Sequence, residues 1–93
     1  MAVLRISAKT NLFMTSRAIV AMIHNHQHAE LQAIGRSAVQ HAEQAIAKAT
    51  AYLSEEGVDI VAKARVMETD VDGNEKAGLR FIIEPLRKPY SSE

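Results

Sequence analysis

The 93-residue sequence contains no cysteine and no tryptophan, and only two phenylalanines and two tyrosines. The absence of cysteine excludes a disulfide framework and any cysteine-ligated zinc or redox site. It fits a reducing compartment. With so few aromatics, Ala, Val, Ile, Leu and Met must supply nearly all of the 47% hydrophobic share that builds the core. No apolar run approaches the roughly 18 residues of a transmembrane helix, so no membrane partner is expected. The opening MAVLRISAKT lacks the apolar stretch of a signal peptide. A cytoplasmic location is the expectation. Net charge is absent too: 11 Lys and Arg balance 11 Asp and Glu. Phosphate neutralisation needs local positive charge, so a polyanion partner requires the basic residues to gather on one surface.

At this length a second domain is not credible, and residues 1–86 are expected to form a single domain with 87–93 as a flexible tail. A chain this short buries only about 60–65% of its unfolded surface. Support from a second subunit is therefore expected.

Residues 2–7 (AVLRIS) read as a short strand. From Leu12 to His26 the pattern becomes helical, with Met14, Ala18 and Met22, and Ile19 and Ile23, at three- and four-residue spacing. Thr10 and Asn11 are candidate caps. AELQAI at 29–34 reads as a second short strand, ended by Gly35. In the second helix Ser37 and Gln40 have capping-box spacing. Val39, Ala42, Ile46, Ala49 and Leu53 form an apolar stripe, and Gly57 is a helix stop. Its many alanines raise helix propensity and also permit close approach by a second subunit. Residues 58–68 and 74–84 read as strands joined by VDGN, and Asp-Gly between alternating runs is a strong hairpin signal. The order is βαβαββ. It predicts an α/β two-layer sandwich: a four-stranded sheet, both helices on one face, and a long C-terminal β-hairpin.

With Asp72 and Gly73 as the turn residues, Val58, Ile60, Ala62, Ala64 and Val66 share a face with Ala77, Leu79, Phe81 and Ile83. That face should be the core face. The other carries Lys63, Arg65, Lys76 and Arg80, with Arg65 opposite Arg80. Like charges opposed on a sheet repel. A bound polyanion would relieve the repulsion; screening by Glu68, Glu75 or Glu84 would do so too. The acidic tip (Glu68, Asp70, Asp72, Glu75) argues against contact between the tip and phosphate. Gly35 and Arg36 stand where the second helix begins, and free backbone N–H groups and the helix dipole attract anions there. Lys9 follows the first strand. In a βαβ unit both loops emerge at the same sheet edge, which would make Lys9 and Arg36 neighbours.

LRISAK at 4–9, AELQAIG at 29–35, the Ala-rich helix, GVDIV at 57–61 and VDGN followed by IIEP at 82–85 resemble the stage V sporulation protein S family, in the Alba-like group. The resemblance spans about residues 3–85. It implies an Alba-like fold with a mixed sheet, a homodimer or higher homo-oligomer, and binding to DNA or RNA through backbone contacts. It implies a nucleic-acid surface made of the loop after the first strand, the glycine turn and the hairpin arms. Here these positions hold Lys9, Gly35, Arg36, Lys63, Arg65, Lys76 and Arg80. Two features depart from the Alba pattern. The chain is neutral, and the loop at 10–14 carries bulky Leu12 and Phe13; Phe13 could stack on a base or plug a dimer contact, but packing is its expected role.

His24, His26 and His28 invite a metal reading, but on a helix His26 points away from the other two, and Glu30 is the one nearby carboxylate. A polar helix end is the plainer reading, and no metal or other cofactor is expected. No nucleophile–base spacing, Gly-rich phosphate loop or paired acid nominates a catalytic site, so no enzymatic activity is expected. Two functions remain: a regulatory nucleic-acid-binding protein, or a regulatory protein-interaction module on the same fold, which zero net charge favours.

Overall fold

The computed structural model describes residues 3–71 and 74–86. The side chains of 68–71 and 74–77, the proposed turn Asp72–Gly73 and the tail 87–93 lie outside that description. The elements run β1 (Leu4–Ile6), α1 (Leu12–His26), β2 (Ala29–Ile34), α2 (Arg36–Glu55), β3 (Ile60–Val71) and β4 (Asn74–Pro85). They form one mixed sheet in the order β1-β2-β4-β3. β1 and β2 are parallel, while β4 is antiparallel to both β2 and β3. The hairpin register is the expected one, from Ile60 opposite Pro85 to Val71 opposite Asn74.

Local chemistry explains the ends of α1. The Asn11 side chain accepts a hydrogen bond from the Met14 N–H at 2.9 Å, a conventional N-cap. At the other end Gln27 adopts a left-handed conformation (φ 59°) and its N–H returns to the Ile23 carbonyl, as in an αL cap. α1 buries Thr15 and Ser16 beside Ile19 and Ile23. The two hydroxyls donate back to the carbonyls of Asn11 and Phe13, each at 2.8 Å, so their burial leaves no unmet donor.

α2 starts differently from the sequence expectation. Its N-cap is Gly35, and no side chain caps it. Ser37 therefore lies inside the first turn, too late to form the capping box with Gln40. α2 buries Ala38, Ala42, Ala45, Ala49 and Leu53. Ile6, Ala29, Leu31, Ala33, Phe81 and Ile83 of the sheet close the same core. Alanine on both the helix and β2 brings the backbones close. The volume is then filled by Ile19, Ile23, Leu31, Leu53 and Ile83, which are the largest fully buried side chains.

Both helices pack on this one face. They cover β1, β2, β4 and the base of β3, where Val58 and Ile60 pack on the core. Beyond that point the expected core face emerges from under the helices. Ala62 and Ala64 are exposed, and Val66 is 75% exposed. The alternation of β3 sets which way these residues face, but as an edge strand it runs past the helical layer. Gly78 is required by close approach: a Cβ there would lie 2.9 Å from the Ala33 carbonyl oxygen and 3.1 Å from Ile34 Cγ1.

Candidate nucleic-acid interface

The helix-free face of the sheet is set by strand alternation. Arg5 of β1, Glu30, Gln32 and Ile34 of β2, Gly78, Arg80, Ile82 and Glu84 of β4, and Val61, Lys63, Arg65 and Met67 of β3 share it. Their partners on the other face are the core residues. Registers align these positions into rows. Arg5 pairs with Gln32, Gln32 with Arg80, and Arg80 with Arg65. Next to it runs the row Glu30, Ile82 and Lys63.

Arg65 does stand opposite Arg80. Among the described side chains the acid that meets Arg80 is Glu30, from the neighbouring strand, and not Glu84; the expected screens Glu68 and Glu75 have side chains outside the described residues. Arg80 Nε lies 3.0 Å from Glu30 Oε2. This Nε is closed off from solvent and its N–H makes no aligned hydrogen bond, so the attraction is Coulombic. Glu30 is largely buried, while Arg80 remains 42% exposed at its side chain. Glu84 is engaged elsewhere: its Oε2 lies 3.2 Å from His28 Nδ1, and the other ring nitrogen of His28 is 3.8 Å from Glu30 Oε1. A chain of polar contacts thus runs Glu84–His28–Glu30–Arg80.

The second part of the site is a cleft of about 460 Å³ at the carboxyl ends of the parallel strands. It is lined by Arg5, Ser7 and Ala8 of β1 and its loop, Gln32 and Ile34 of β2, and Gly35, Arg36 and Ser37 at the start of α2. Gly35 has φ 96° and ψ 155°, a region essentially reserved for glycine. A Cβ at Gly35 would meet nothing within 4 Å, so backbone conformation, not space, demands glycine. No side chain caps the first N–H groups of α2. Lys9 follows this cleft in the β1–α1 loop but is not among its lining residues. The loop is pinned by Ser7 and Thr10: the Ser7 N–H donates to Thr10 Oγ1 at 2.8 Å.

The structure therefore gathers Gly35 and Arg36 in the cleft and Lys63, Arg65 and Arg80 on the helix-free face. Lys76 pairs with Thr69 in the hairpin backbone, and its side chain is not described. Sequence reasoning missed Arg5, Gln32 and Glu30. Their alternation on short strands was visible, but which strands lie beside them follows only from the strand order.

The histidines separate. α1 ends at His26, so His28 is off the helix and the one-turn spacing to His24 does not apply. His24 Nε2 instead meets Glu56 Oε1 at 2.8 Å. Among the described residues no group of three His, Asp or Glu side chains could hold a metal ion. Phe13, expected to pack, is 63% exposed, with the Arg17 guanidinium over its ring at 5.6 Å.

No helix among the described residues is long and apolar enough to cross a membrane. A sequence model of the Stage V sporulation protein S (SpoVS) family matches residues 2–86. Among solved structures, Alba from Thermoplasma volcanium superposes with a TM-score of 0.67 at 9% identity, covering 89% of this chain and 99% of that one. That likeness establishes the fold.

Proposed function

This chain belongs to the stage V sporulation protein S family and has the Alba fold, and on that premise we propose that it is a cytoplasmic regulatory protein that binds DNA or RNA through phosphate contacts. The observation that carries the reading is the placement of Arg65 opposite Arg80 on a sheet face that the helices leave open. Two opposed guanidinium groups repel, and a phosphodiester backbone between them would convert that repulsion into two charge-assisted contacts. The cleft at the start of α2 adds a second anion-attracting element, with Arg36 beside backbone N–H groups that no side chain caps. Lys9, Lys63 and Lys76 would contribute long-range attraction. In this reading the role is binding, with no chemical step.

The working unit is a homodimer in this reading. The uncovered strip Ala62–Ala64–Val66 is an apolar surface on the side where the core lies, and a second copy would bury it.

A protein-interaction module is the second reading, and the Glu30–Arg80 contact favours it, because an arginine already paired has less to offer a phosphate. Anisotropy titrations of labelled DNA and RNA at low and moderate salt separate the two. Binding that is tight at low salt and weakens steeply as salt rises supports the first; absence of binding at low salt supports the second.

A further inference from the structure

The basic surface does not stop at the hairpin. Arg65 and Arg80 are the near end of a row that continues through Gln32 to Arg5, on the far edge of the sheet. Four adjacent strands at about 4.8 Å spacing place its ends roughly 14 Å apart. Three of the four positions are arginine and the fourth is an amide that both donates and accepts. Arg5 and Gln32 also line the cleft at the start of α2, so the row connects the two parts of the site. Among the described residues, Arg5 has no carboxylate within ion-pair reach; the one acid meeting the row is Glu30, at Arg80. The alternation that packs Leu4 and Ile6 against the helices does not explain why an arginine stands between them on an otherwise uncovered face.

We propose that the row Arg5–Gln32–Arg80–Arg65 is a nucleic-acid-binding track, along which a phosphodiester backbone crosses the sheet from the α2 cleft to the hairpin. The proposal rests on the nucleic-acid-binding reading above and extends it to β1 and β2. Arg5 holds a phosphate at the cleft end. Gln32 bridges the gap between Arg5 and Arg80 with neutral hydrogen bonds.

The test is binding of a short labelled oligonucleotide, single-stranded and duplex, across a salt series, to wild type, Arg5→Gln, Gln32→Ala, Arg65→Ala, Arg80→Ala and Lys48→Gln. Lys48 is exposed on α2, in the helical layer and off the helix-free face, so its replacement removes one charge away from the track. Circular dichroism confirms that each variant folds. Arg5→Gln should weaken binding about tenfold, the scale of one charge-assisted contact, and lower the salt slope by about 0.7–0.9. Gln32→Ala should weaken binding about threefold, as expected of a neutral hydrogen bond, with the slope unchanged. If Arg5→Gln behaves like Lys48→Gln while Arg65→Ala and Arg80→Ala still weaken binding, the track ends at β4 and the proposal is wrong although the functional reading stands. If wild type binds nothing at low salt, the functional reading falls and the track with it.

Discussion

Arg80 Nε sits 3.0 Å from Glu30 Oε2, across the β2–β4 boundary, while the Arg65 position faces the same arginine from β3. One guanidinium thus stands between an acid that holds it and a second cation that repels it. Glu30 offsets the like-charge pair. The same carboxylate competes with any phosphate that approaches Arg80.

Glu30→Gln should therefore tighten nucleic-acid binding. Removing a carboxylate beside the bound phosphate relieves repulsion of ~1 kcal/mol at a partly hydrated site, which corresponds to about fivefold. The thermal midpoint should fall slightly in the free protein, because Arg65 and Arg80 lose their screen. Parallel anisotropy and melting measurements on the one variant check both directions.

Gly35→Ala should destabilise the fold by roughly 1–3 kcal/mol, the cost of holding an ordinary residue in a glycine-only conformation. In a domain of this size each kcal/mol moves the melting midpoint by about 4–8 °C. The added methyl itself meets no neighbour, so any relief comes from rotating the backbone at the α2 start, which re-aims the N–H groups lining the cleft. Binding should weaken along with stability.

Leu53→Ala should cost about 2–5 kcal/mol. Leu53 is fully buried near the end of a helix whose other fully buried positions are alanines, Ala49 one turn before it included, so its nearest buried neighbour on α2 is too small to fill the cavity. Denaturant unfolding reads the loss as a lower midpoint with an unchanged slope.

If the proposed homodimer forms through the Ala62–Ala64–Val66 strip, Val66→Glu should convert it to monomer while leaving the fold intact. Val66 is 75% exposed in the single chain, so a carboxylate there costs the monomer little. In an interface with a second copy it would be buried without a partner. Sedimentation of both proteins over a concentration range is decisive: dimeric Val66→Glu would place the subunit contact elsewhere.

The parts of this architecture governed by local patterns were legible in the sequence. The Asp72–Gly73 turn signal and the alternation on either side specify the hairpin register, Arg65 opposite Arg80 included. The glycine before α2 and the three- and four-residue spacings specify the helices. The Ser37 capping box failed because a glycine-only conformation at Gly35 let the helix start two residues earlier. Glu30 as the partner of Arg80 could not be read, since the two are 50 positions apart and meet only because β4 inserts between β2 and β3. The exposure of Ala62, Ala64 and Val66 was hidden for a similar reason. Alternation tells which way a side chain faces, but not how far the helical layer extends above it.

The most direct test of the central claim is the salt dependence of nucleic-acid binding by wild type and by the Arg65→Ala/Arg80→Ala double variant. Binding by wild type should fall linearly in log affinity against log salt, and the double variant should lose affinity with a slope shallower by about 1.4–1.8, two phosphate contacts' worth. Equal affinity and equal slope for the two proteins would contradict the account.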